Sequence, residues 1–177
     1  MYLEQRLRQK QDFLKIGDAY LKQGLYQQAI AAYDQAILTN HLDPLPYINR
    51  GNARFHLKQY MKALDDYSFA QILTPNDPHI YYNQGVTMNA LFLYNKAIAC
   101  YNRVICLKSN YTAAYINRGN IYMRLEAWAQ AITDYSQVIA LTPDNLIAYQ
   151  NRALAYQRQG NNAQAQKDFD QIKQLMR

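Results

Sequence analysis

Glycine recurs at Gly17, Gly51, Gly85 and Gly119, every 34 residues, and one more step of that length reaches Ala153. The hexapeptide YINRGN stands at Tyr47 to Asn52 and again at Tyr115 to Asn120, two such steps apart. A period of this length implies a stack of like pieces, each burying its apolar face on its neighbours, and excludes a core assembled from unlike elements. Taking the glycine as position 8 divides the chain into repeats 10–43, 44–77, 78–111, 112–145 and 146–177, after an extension of residues 1–9. Together they are expected to make one domain.

The columns of this alignment have fixed character. Position 4 is Phe13, Tyr47, Tyr81, Tyr115 and Tyr149; position 24 is Tyr33, Tyr67, Tyr101, Tyr135 and Phe169; position 20 is alanine throughout. Apolar or small residues at 4, 8 and 11, and again at 17, 20, 21, 24 and 27, follow helical spacing. Each repeat therefore reads as two amphipathic helices that break near position 15, where Gly24 and Gly160 stand, with Pro75 and Pro143 after the second helices. The small side chain at position 8 predicts close helix approach. The period, the aromatic residues at 4 and 24, the small residue at 8, Tyr20, Tyr122 and Tyr156 at 11, Ala at 20 and Pro at 32 resemble the tetratricopeptide repeat (TPR) family over residues 10–177. The resemblance implies an all-α TPR solenoid, a right-handed superhelix of ten helices in five helix-turn-helix repeats.

One departure from the family pattern is informative. Position 7, where the family favours leucine, is Ile16, Arg50, Gln84, Arg118 and Arg152, and position 23 is Ala32, Asp66, Cys100, Asp134 and Asp168. Arginine at 7 accompanies aspartate at 23 in the same three repeats. A hairpin folded at position 15 brings these columns face to face, which predicts the ion pairs Arg50–Asp66, Arg118–Asp134 and Arg152–Asp168.

The stripe beside the packed face of the first helices is the candidate working surface. Position 6 carries Lys15, Asn49, Asn83, Asn117 and Asn151, and position 9 adds Asn52 and Asn120. Amides offer both donor and acceptor, so a row of them suits the backbone of an extended peptide. The alternative reading is that these asparagines brace the neighbouring repeat. Lys22, His56, Arg124 and Arg158 at position 13 give a basic wall, and Ile48, Tyr82 and Ile116 at position 5 supply apolar pockets. The resemblance adds that some TPR proteins hold a peptide backbone with asparagines at position 6. It also brings in a clamp for C-terminal carboxylates, but the aligned residues Ile48, Asn52, Asn83, Ala113 and Asn117 lack its cations.

The bulk properties favour no other class. A net charge of +6 suits an acidic partner segment, yet the basic residues spread over many columns, which disfavours nucleic acid. No phosphate-binding loop, nucleophile motif or metal-ligand spacing is present; His41, His56 and His79 fall in different columns, and Cys100 and Cys106 have no companion motif. No cofactor, metal or membrane span is expected. The N-terminus has no secretory pattern, so the expected location is cytoplasmic. Repeat five, with Gln166 and Lys173 where a further repeat would pack, reads as a capping repeat. Repeat three places Phe92 and Leu93 at its turn, either as a contact surface for self-association or tucked under a lengthened helix. The expectation is a non-catalytic adaptor, monomeric or weakly dimeric, that binds a peptide of another protein. A self-associating scaffold ranks second and RNA binding third.

Overall fold

The computed structural model describes residues 2–176, with side chains from Asp12 onward. Among the described residues ten helices follow one another: α1 (Tyr2–Lys22), α2 (Tyr26–Thr39), α3 (Pro44–His56), α4 (Tyr60–Leu73), α5 (Pro78–Ala90), α6 (Tyr94–Leu107), α7 (Thr112–Arg124), α8 (Trp128–Leu141), α9 (Leu146–Arg158) and α10 (Asn162–Leu175). The first helix of each later repeat spans positions 1–13 and the second positions 17–30. Residues 2–9 continue α1, while the side chains of Arg6 and Arg8 lie outside the described set. Two compact units are formed, Met1–Leu93 and Tyr94–Arg177. Within each, every helix packs on the next one in the chain, and in the first unit α3 also meets α1 and α5.

Local chemistry sets the helix ends. Asp43 and Asp77 accept the N–H of Leu45 and His79 at 3.0 and 2.8 Å, and Pro44 and Pro78, which have no N–H to leave unsatisfied, open α3 and α5. Asn145 and Asn161 cap α9 and α10 in the same way.

The turn inside every repeat is one motif. Position 15 has positive φ five times over: Gly24 (74°), Lys58 (59°), Phe92 (60°), Glu126 (57°) and Gly160 (85°). The N–H of the next residue then reaches back to the carbonyl of position 11, as from Leu25 to Tyr20 and from Gln59 to Arg54, at 2.9 and 2.8 Å. The closure is so consistent that repeat three keeps it with phenylalanine. Helix α5 ends at Ala90 like its counterparts, so the lengthened-helix alternative is not what the chain adopts. Phe92 is 72% exposed and Leu93 40%.

The core of the first four hairpins is built on the position-24 tyrosine. Tyr33, Tyr67 and Tyr135 are all but fully buried, with Ala29, Ala63 and Ala131 beside them. A Cβ added at Gly51 would lie 2.6 Å from Cε1 of Tyr67, and one at Gly119 would lie 2.9 Å from Cε1 of Tyr135; Gly17 meets Tyr33 in the same manner. The glycine column thus exists to admit a ring. At position 4, the hydroxyls of Tyr47, Tyr81 and Tyr115 donate to the carbonyls of His41, Pro75 and Ser109 in the preceding inter-repeat loop. Ile48 is buried in a core cluster of the first unit and Ile116 packs against Tyr115, Val138 and Ala148 in the second, which corrects the expectation that both open as pockets.

Holding a residue with a Cβ in the left-handed region costs about 1–2 kcal/mol, partly offset by the entropy glycine loses on folding. Lys58→Gly and Glu126→Gly are each expected to stabilise the protein by about 0.5–1 kcal/mol. The check is a higher urea midpoint with an unchanged slope.

Candidate functional site

All three expected ion pairs are present. Nη2 of Arg50, Arg118 and Arg152 stands 2.6 Å from Asp66, Asp134 and Asp168, and Nε of each makes a second bond to the same carboxylate. The remaining Nη1 crosses to position 25 of the preceding repeat, donating to Asp34, Asn102 and Ser136 respectively. Each guanidinium also lies over tyrosine rings: Arg50 over Tyr47, Arg118 over Tyr115 and Tyr122, Arg152 over Tyr149 and Tyr156, at 5.5–6.0 Å. In repeat two Arg54 replaces the position-11 tyrosine and adds a further contact to Asp66 at 2.8 Å. Gln84, lacking an aspartate at position 23, donates to Gln71 of the preceding repeat at 2.9 Å. Burial pushes the Asp66 and Asp134 carboxyls above the usual carboxylate range against the pull of their guanidinium partners.

The asparagines are engaged across repeat boundaries. Nδ2 of Asn49 donates to Asp18 at 2.9 Å, that of Asn83 to Asn52 at 3.1 Å and that of Asn151 to Asn120 at 3.3 Å. In each case the accepting oxygen also receives a buried tyrosine hydroxyl of its own repeat: Tyr33 to Asp18 at 2.8 Å, Tyr67 to Asn52 at 2.8 Å, Tyr135 to Asn120 at 2.7 Å. Burial raises the pKa of all three hydroxyls, with Asp18 adding to the effect at Tyr33, so they remain protonated donors. Asn117 is half-buried at the same helical position. The brace and the surface row are therefore the same residues: Nδ2 joins the repeats while the amides stay part-exposed.

In the first unit these side chains border a cavity of about 350 Å³ lined by Leu21, Asn52, Phe55, His56, Tyr67, Tyr82, Asn83, Val86 and Thr87. Four residues of the expected surface, Asn52, His56, Tyr82 and Asn83, meet here from two repeats. The imidazole of His56 is stacked on Tyr26 with centroids 4.8 Å apart and planes within 6°. Lys15, Lys22, Arg124 and Arg158 are exposed and line no described cavity. Missing from the sequence reading were Asp18 and the tyrosine hydroxyls. The signal was partial: in repeat five position 9 is Leu154 and position 24 is Phe169, so acceptor and donor are lost together, whereas repeat three keeps Tyr101 at position 24 with Val86 at position 9. A second cavity, of about 370 Å³ in the second unit, is lined by Asn102, Arg118, Tyr122, Gln130, Thr133 and Asp134. Among the described residues no group of three His, Cys, Asp or Glu could hold a metal ion, and no helix is long and apolar enough to cross a membrane.

This arrangement of paired helices with a part-exposed polar stripe is that of helical-repeat interaction modules. Models of the tetratricopeptide repeat match residues 14–78 and 146–175, and a TPR repeat model matches 119–160. The chain belongs to the tetratricopeptide repeat family. No curated protein sequence matches it. Among solved structures, a MamA protein superposes with a TM-score of 0.85 at 23% identity, covering 94% of this chain and 91% of that one. A MamA fragment from Desulfovibrio magneticus RS-1 gives 0.86 at 20% identity, with 95% of each chain covered. YrrB, described as a TPR protein with an unusual peptide-binding site, gives 0.76 at 19% identity, covering 92% of this chain and 84% of that one. Likeness at these identities establishes the fold, an all-α TPR solenoid. The family works in general as a protein–protein interaction module without catalysis.

Asp134 is only 2% exposed, so Arg118→Met strands a buried carboxylate and is expected to cost about 3–5 kcal/mol at neutral pH. Adding Asp134→Leu should recover most of that loss in urea denaturation. Because burial raises this carboxyl, the deficit of the single variant should shrink as pH falls and the acid is neutralised.

Proposed function

We propose that the chain is a non-catalytic adaptor that binds an extended segment of another protein along the exposed stripe of its first helices. The cavity of the first unit carries this reading, because it joins part-exposed amides able to pair with a peptide backbone to apolar walls able to take a side chain. Leu21, Phe55, Tyr82 and Val86 form those walls, and Asn52 and Asn83 stand at their polar edge. The net charge of +6, with His56 on the rim and Lys22 next to Leu21, favours a segment with acidic residues beside its anchoring side chain. The peptide-binding site described for YrrB, a chain of like fold, is consistent with this use of the solenoid.

Linear peptides selected from a random library on the full chain supply the probe. Tyr82→Ala combined with Asn83→Ala should weaken the selected peptides by more than about tenfold, equivalent to roughly 1.4 kcal/mol, in calorimetric titration. Unchanged affinity in a folded variant overturns the reading.

A second reading, self-association, draws on Phe92. A bulky aromatic residue in the left-handed region with 72% of its surface exposed, followed by exposed Leu93, is an expensive arrangement to keep at a turn. If this turn joins copies of the chain, the mass measured by light scattering rises with concentration, and Phe92→Gly returns it to the monomer value without loss of fold.

A further inference from the structure

The asparagines of the stripe are not free amides, and their bonds decide which end of each faces outward. In the first unit two donors converge on one atom: Oδ1 of Asn52 accepts the Tyr67 hydroxyl at 2.8 Å and Nδ2 of Asn83 at 3.1 Å. That oxygen is fully used by inward contacts. Asn52 is thus left with its Nδ2 donors and Asn83 with its Oδ1 acceptor, neither of which has a partner among the described residues. Both side chains are part-exposed and both line the cavity.

Resting on the reading of this surface as a peptide site, we infer that Tyr67 is a positioning residue whose hydroxyl sets the polarity of a backbone clip. Asn52 donates to a carbonyl of the bound segment, Asn83 accepts an N–H, and the adjoining cavity receives a neighbouring side chain. A donor and an acceptor in fixed order and at fixed spacing favour an extended strand in one direction, because reversing it at the same register sets donor against donor and acceptor against acceptor. Without the tyrosine proton, the Asn52 amide can turn over and present oxygen in place of nitrogen.

Three comparisons within the chain support this. The constellation recurs in the second unit, where Oδ1 of Asn120 accepts the Tyr135 hydroxyl at 2.7 Å and Nδ2 of Asn151 at 3.3 Å. In repeat one the atom in the same place belongs to Asp18, which accepts from Tyr33 and Asn49. A carboxylate has two equivalent oxygens and no donor, so there Tyr33 has no polarity to set. Repeat five holds Phe169 at the tyrosine position, so this fold accommodates the loss of the hydroxyl.

The test uses the full chain and library-selected peptides whose binding depends on Asn83. Tyr67→Phe should lower affinity about fivefold to tenfold, the loss of roughly one oriented hydrogen bond, while Tyr33→Phe, which removes an equivalent buried hydroxyl, should leave it unchanged. Replacing single peptide amides by esters should locate one N–H whose removal weakens binding to the parent chain and no longer matters in Asn83→Ala. If Tyr67→Phe binds as well as the parent, or if both tyrosine variants weaken binding alike, the clip is overturned although the peptide site stands. If Asn83→Ala itself leaves every selected peptide unaffected, the peptide site and the clip fall together.

Discussion

The ring of the position-24 tyrosine occupies the space that a Cβ at position 8 of the same repeat would need, and much of the molecule follows from that contact. Because Tyr33, Tyr67 and Tyr135 lie on Gly17, Gly51 and Gly119, the two helices of a hairpin approach closely enough to exclude water from the ring. The ring's length then fixes where the hydroxyl ends, at the position-9 side chain of the first helix. In these three repeats that side chain is an acceptor, which spares the buried hydroxyl the loss of going unpaired. Once oriented, the acceptor is also in reach of the asparagine 31 residues further on. A packing contact inside one repeat thereby sets a polar contact to the next.

The arginines work on the same seam, reaching from the first helices to the second. Each guanidinium spends two nitrogens on its own repeat and the third on the preceding one. Taking both charges of Asp66 and Arg50, or of Asp134 and Arg118, out of water costs about as much as their attraction returns, so these pairs are a weak source of net stability. Their geometry matters more. A planar fork that must satisfy partners on two helices while lying over tyrosine rings tolerates little sliding between repeats, which makes the network a device of register.

Much of the hairpin was legible because its constraints are columnar. The period, the break at position 15 and the arginine–aspartate pairs all leave a residue type repeated or varied in step, as with Arg152 and Asp168 against Gln84 and Cys100. The turn geometry was half legible: Gly24 and Gly160 announce a left-handed residue, but Lys58, Phe92 and Glu126 hide it, since the closure back to position 11 imposes that backbone on whatever stands there. The asparagines show where pattern stops. Their column is equally compatible with bracing and with an open surface, and only the distances show that Nδ2 is committed while the amides remain part-exposed. Asp18 is not marked by its column because aspartate, asparagine, valine and leucine share it, and a column of mixed chemistry carries no visible rule.

That mixture has a physical reading. In repeats one, two and four position 9 faces the tyrosine hydroxyl and the next repeat inwardly, and both ask only for an acceptor, which Asp18, Asn52 and Asn120 supply equally well. Outwardly the two differ: the carboxylate leaves another acceptor and a charge, and the amide leaves donors. The stacking requirement is therefore indifferent to the choice that most changes the exposed surface. A repeat array built this way can alter what it presents at each step along the stripe while the atoms that hold its repeats together stay in place.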